Sequence, residues 1–124
     1  MKSQVVNILA VDDETAVSTT IQIVLKRYGY SVDTLHNGQE ALARLTGSPG
    51  RYQILITDHN MPEMTGIQLL QQLKPTDFRG KIIVLSGYLN LELEEQYRLL
   101  GADIILRKPF ELHELRQAVE ALRK

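Results

Sequence analysis

Four short runs of branched apolar residues, VVNILAV (5–11), ILIT (54–57), KIIVLS (81–86) and DIIL (103–106), recur along the chain with amphipathic segments between them. This alternation constrains the fold more than any other feature. Apolar runs without polar alternation suit strands covered on both faces, and such strands belong to parallel sheets. Parallel neighbours need crossover connections, which the intervening segments can supply as helices on both sides of the sheet. SVDTL (31–35) alternates as a further, more exposed strand.

The helical segments follow from spacing. Val17, Ile21, Val24, Leu25 and Tyr28 form one stripe, stopped by Gly29. NGQEALARL (37–45) predicts a second helix, ended by GSPG, and TGIQLLQQL (65–73) a third, ended before Pro75. In the third, Ile67, Leu70 and Leu73 share a side. LELEEQYRLLG (91–101) turns Leu93, Tyr97 and Leu100 inward. ELHELRQAVEALRK (111–124) carries Leu112, Leu115, Val119 and Leu122 as a core-facing stripe, with an exposed flank that could meet a partner. The expectation is an α/β fold: a three-layer, doubly wound (βα)5 sandwich with flavodoxin-like parallel strand order 2-1-3-4-5.

Composition narrows the function. The 124 residues make about one domain, and no linker or repeat divides them. A net charge of -1 argues against a surface that seeks nucleic acid or membranes. The absence of cysteine excludes disulfides and thiolate metal sites. No apolar run approaches the roughly 20 residues of a membrane span, and the start reads as a strand, not a signal peptide. A soluble, cytoplasmic domain is expected.

In a parallel sheet every strand C-terminus lies along one edge. Asp12 and Asp13 follow the first strand and Asp58 the third, and the order 2-1-3-4-5 makes those strands neighbours. Carboxylates so close repel, so that one takes a proton or a cation is recruited. An all-oxygen cluster suits a hard ion, Mg²⁺ above all, with Mn²⁺ able to substitute. Ser86 ends the fourth strand and Lys108 follows the fifth, offering a hydroxyl and an ammonium to phosphoryl oxygens. The set fits phosphoryl transfer to Asp58 as nucleophile. As plain structure, Asp12 and Asp13 would cap the first helix, Asp58 would form a turn, and Lys108 would be a solvated surface residue. His59, His36 and His113 read as solvent-facing positions.

VDDE, DHNMPEMTG, SG and KPF, one after each of four strands, together resemble the receiver domain of two-component response regulators. The resemblance runs from Val5 to about Leu122, so a single receiver domain over 1–124 is expected, with no output domain in this chain. It implies that Asp58 accepts a phosphoryl group from a sensor histidine kinase, a phosphotransfer protein or a small phosphodonor. It implies Mg²⁺ on Asp13, Asp58 and the Asn60 backbone carbonyl, with Asp12 acting through water. Ser86 and Lys108 would contact the phosphoryl oxygens, and the bond to Pro109 would be cis. The expected role is a phosphorelay switch, not an enzyme with its own substrate, acting on a downstream protein without binding nucleic acid directly. Activated members often dimerise, so a phosphorylation-linked dimer is among the expectations.

One departure stands out. Where the family usually carries Tyr or Phe, this chain has Ile105, with no ring to swing on activation; Tyr88 is the candidate substitute. Two other classes fit less well. An aspartate-nucleophile phosphatase needs a second Asp two residues after the first, where Asn60 stands. A dead-site interaction module would lack an acidic residue or the lysine.

Overall fold

The computed structural model describes residues 5–123. Strand and helix alternate: β1 (Asn7–Val11), α1 (Thr15–Arg27), β2 (Ser31–Leu35), α2 (Gly38–Gly47), β3 (Ile54–Asp58), α3 (Gly66–Leu73), β4 (Lys81–Ser86), α4 (Leu91–Leu99), β5 (Ile104–Arg107) and α5 (Leu112–Leu122). The sheet is parallel throughout, in the order β2-β1-β3-β4-β5 expected from the sequence.

Period-two alternation within buried strands builds two separate cores. Ile54 and Ile56 of β3 face one way, with Ile8, Ala10, Ile83 and Leu85, onto Ile21 and Leu25 of α1 and Leu115 and Val119 of α5. Leu55 faces the other way, with Leu9, Val11 and Val84, onto Ala41, Leu45, Leu69, Leu70 and Tyr97 of α2, α3 and α4. Each fully buried aliphatic side chain contributes roughly 1.5–3 kcal/mol by area. Three helices have side-chain N-caps: Asn37 accepts from the Glu40 N–H at 2.8 Å, Thr65 from Gln68 at 3.2 Å and Asn90 from Leu93 at 2.7 Å.

Several sequence readings shift. The first strand begins at Asn7, and Val5 is exposed. Tyr28 is not on the buried stripe of α1; it caps the helix outside, with the Arg116 guanidinium 4.0 Å above its ring. Leu112 is 45% exposed rather than core, because the first turn of α5 overhangs a hollow that it lines with Ala16, Val17, Ile21 and Phe110. The fourth helix ends at Leu99, and the expected helical position of Lys124 lies outside the described residues. Among the described residues, no helix is long and apolar enough to cross a membrane.

Candidate functional site

The register sets the site. Val11 of β1 pairs with Thr57 of β3, so Asp12 and Asp58 emerge side by side at the C-terminal edge. Ligand atoms of Asp12, Asp13 and Asp58 lie within 4.8 Å of one another. Asp12 and Asp58 are buried and Asp13 is exposed. Lys108, carried in just after β5, puts its Nζ 3.1 Å from Asp12 and 3.1 Å from Asp58, with Glu14 at 3.6 Å. Asp12 also accepts the Glu14 N–H at 2.9 Å, so it caps the turn and belongs to the cluster at once.

One ammonium shared among several carboxylates does not offset their burial. Desolvation holds the Asp58 carboxyl above the ordinary range, and the neighbouring charge of Asp12 pushes it further. Desolvation likewise raises Asp12. Burial pulls Lys108 down, but its bonds to Asp12 and Asp58 outweigh that and hold it above its usual value. Three converging carboxylates with all-oxygen donors therefore form a group that could hold a hard metal ion.

The other expected site residues fall around this cluster. Ser86 is fully buried at the end of β4, but its hydroxyl donates to the Tyr88 carbonyl at 2.6 Å and accepts the Tyr88 N–H at 3.2 Å. Asn60 lies in the exposed loop two residues after Asp58. The Lys108–Pro109 bond is cis. Ile105 is partly buried against the α2–α4 core. The Tyr88 ring is 62% exposed, and its hydroxyl accepts from Asn90 at 3.1 Å. His113 is exposed. His36 is exposed too, though its Nδ1 lies 3.2 Å from the Asp12 carbonyl.

His59 corrects its sequence reading. It does not face solvent freely: its Nδ1 is hydrogen-bonded to the Tyr97 hydroxyl, the rings meet edge-on at 5.5 Å, and burial lowers its pKa. The sequence places Tyr97 inward but carries no sign of this partner, 38 residues away.

The start of α3 is packed tightly against the site. A Cβ on Gly66 would clash with the Tyr97 hydroxyl and come within 2.9 Å of the Asp58 carbonyl oxygen. The second neighbour is backbone and cannot swing away. Gly66→Ala is expected to destabilise the fold by about 1–3 kcal/mol through overpacking, read as a lower urea midpoint at constant slope. An unchanged midpoint would show that α3 moves freely here.

Comparison with known proteins agrees with this arrangement. The family model described as "Response regulator receiver domain" matches residues 8–120. An uncharacterised transcriptional regulatory protein, YkoG, of Bacillus subtilis is 31% identical over 115 residues, covering 93% of this chain and 50% of that protein. The cell cycle response regulator CtrA of Brucella ovis is 30% identical over 115 residues, covering 93% and 49%. The chain thus spans about half the length of the curated relatives it matches. Among solved structures, the Vibrio cholerae chemotaxis protein CheY4 superposes with a TM-score of 0.87 at 28% identity, over 96% of this chain and 99% of that one. A receiver domain protein from Clostridium thermocellum also gives 0.87 at 28% identity, over 95% and 94%. With the acidic edge, the strand order and these matches together, the chain belongs to the response regulator receiver domain family, whose work is phosphorelay signalling through aspartate phosphorylation.

Proposed function

We propose that Asp58 is the phosphoacceptor of this receiver domain, taking its phosphoryl group from a phosphohistidine of a sensor kinase or phosphotransfer protein, or from a small phosphodonor. The observation that carries this reading is the meeting of a buried carboxylate with Lys108 Nζ, 3.1 Å away, inside a three-carboxylate cluster. In the transfer, an Asp58 carboxylate oxygen attacks phosphorus as the phosphorus–nitrogen bond breaks, and the electron pair leaves with the imidazole. The product is an acyl phosphate, which water later cleaves to restore the carboxylate. Lys108 holds one phosphoryl oxygen as a point charge. Ser86 holds another once its hydroxyl turns away from the Tyr88 carbonyl. Tyr88 moves with that turn, because its own N–H bonds the same hydroxyl.

Asp13, Asp58 and the Asn60 carbonyl would hold Mg²⁺, with Asp12 one water away, and the ion would neutralise charge on the phosphoryl oxygens. The domain turns over no separate substrate; its chemistry is the loading and unloading of its own aspartate. Its site is read in the cytoplasm, where it meets its donor and a downstream protein, without direct contact to nucleic acid or membrane. The net charge of -1 supports the last point. A single functional unit over the chain and a phosphorylation-linked dimer complete the reading.

The expected result with acetyl phosphate and Mg²⁺ is a mass gain of one phosphoryl group that is base-labile and disappears in EDTA. A gain that persists in EDTA would overturn the metal requirement, and no gain with any phosphodonor would overturn the acceptor assignment.

A further inference from the structure

With Leu93 packed less deeply against the same core, Tyr97 is the one fully buried residue of α4. The polar end of that side chain does not reach solvent. Its hydroxyl is hydrogen-bonded to the Nδ1 of His59 and lies against the start of α3, where a side chain at position 66 would meet it. The opening N–H groups of α3 lack helical partners and are met locally. Thr65 donates to Gln68 Oε1, Gly66 to the His59 carbonyl and Gln68 to Thr65 Oγ1. The Tyr97 hydroxyl occupies the space that a side chain at position 66 would need.

The bond to His59 matters to the nucleophile. His59 directly follows Asp58 and precedes Asn60. Its N–H donates to the Leu85 carbonyl at 2.8 Å, and its carbonyl accepts from Gly66 at 3.0 Å. Those two bonds stay within β3, β4 and α3. The ring contact with Tyr97 is the bond from His59 that reaches α4. Adding a phosphoryl group to a carboxylate that is 4% exposed brings bulk and roughly two negative charges into a closed site. The residues flanking it must give, and the helix whose most buried side chain is tied to that flank responds with them.

We propose that Tyr97 is a positioning residue for the phosphoacceptor loop, and that its bond to His59 couples occupation of Asp58 to the position of α4. Tyr88 is exposed, with its ring hydroxyl bonded to Asn90 and its backbone to Ser86, and Ile105 is partly buried against the same core as Tyr97. The inference rests on Asp58 being the phosphoacceptor.

The test uses the full chain with Mg²⁺ and beryllofluoride, a phosphoryl mimic, followed by backbone NMR, with acetyl phosphate uptake followed by intact mass. In the wild type, shifts are expected around Asp58 and along Leu91–Leu99. Tyr97→Phe keeps the ring in the core and is expected to keep the shifts at Asp58, lose most of those along α4, and slow uptake on the order of tenfold, as a small loss of positioning does. His59→Leu should match it. His59→Asn, which retains an acceptor near the Nδ1 position, should restore the α4 response, a rescue that a purely space-filling role would not show. The double variant should cost no more than either single change, since both remove one bond. Full α4 shifts and unchanged uptake in Tyr97→Phe overturn the coupling while leaving Asp58 as acceptor. A wild type with no response at Asp58 overturns both readings.

Discussion

Asp58→Asn is expected to abolish phosphoryl uptake and, in the same protein, to raise the stability of the metal-free fold. The first effect follows from removing the attacking oxygen. The second follows from burial: Asp58 is held above the ordinary carboxylate value of 3.8, chiefly by desolvation and then by Asp12. Each unit of such a shift corresponds to about 1.36 kcal/mol. The neutral amide relieves that penalty at pH 7, so the urea midpoint of the variant should lie above that of the wild type. The pH dependence has a definite sign. A carboxyl whose folded pKa is raised penalises folding when it is ionised in both states. That penalty fades as pH falls through the folded value toward 3.8. Metal-free wild type should therefore gain stability relative to Asp58→Asn between neutral pH and the unfolded carboxylate range. Urea unfolding in EDTA at several pH values measures this, and an Asn variant less stable than wild type at neutral pH would remove the argument. Saturating Mg²⁺ should then favour the wild type, by about 2.7 kcal/mol at a hundredfold excess over its dissociation constant.

Lys108→Met should do the opposite to stability and much the same to chemistry. The ammonium bonds two buried carboxylates at 3.1 Å each, and no other cation lies within ion-pair distance of them among the described residues. Removing it leaves charges buried without a partner, which costs roughly 2–4 kcal/mol at pH 7 in EDTA, after allowing for partial protonation. Because the folded pKa of Lys108 is raised, this contribution is fully present below the unfolded lysine value of 10.5 and is lost only as pH rises through the folded one. Mg²⁺ should recover part of the loss, since it neutralises the same oxygens. Phosphoryl uptake should fall on the order of 100- to 1,000-fold, as when one preorganised charge donor is taken from a transition state. Stopped-flow uptake and urea curves with and without Mg²⁺ check both. A stable variant that still accepts phosphate at the wild-type rate would show that Lys108 is a surface residue after all.

These two substitutions separate roles that are both legible in one dimension. ILITD is a run with no polar interruption before its carboxylate, and all five positions are buried. Local chemistry of that kind, repeated at four strand ends, determined the layers, the strand order and the acidic edge. Burial of a strand on both faces leaves only one class of sheet, and a parallel sheet gathers its C-termini. Amphipathic spacing determined where the helices lie, although it could not say how each rolls on the sheet. Tyr28 and Leu112 satisfy the periodicity yet sit outside, because they fall at helix ends where the neighbouring layer has stopped. Ser86 was legible as a hydroxyl at the edge; that it bonds the Tyr88 carbonyl in this state depends on the turn after β4. His59 and Tyr97 mark the limit most clearly. Each looks ordinary in its own segment, a loop histidine and an inward helix tyrosine. Their bond depends on the distance between α4 and the end of β3, which is set by the packing of the whole α2–α4 core and by the missing side chain at Gly66. Periodicity encodes which face a residue takes, whereas a contact across 38 residues exists only once the layers have been pressed together.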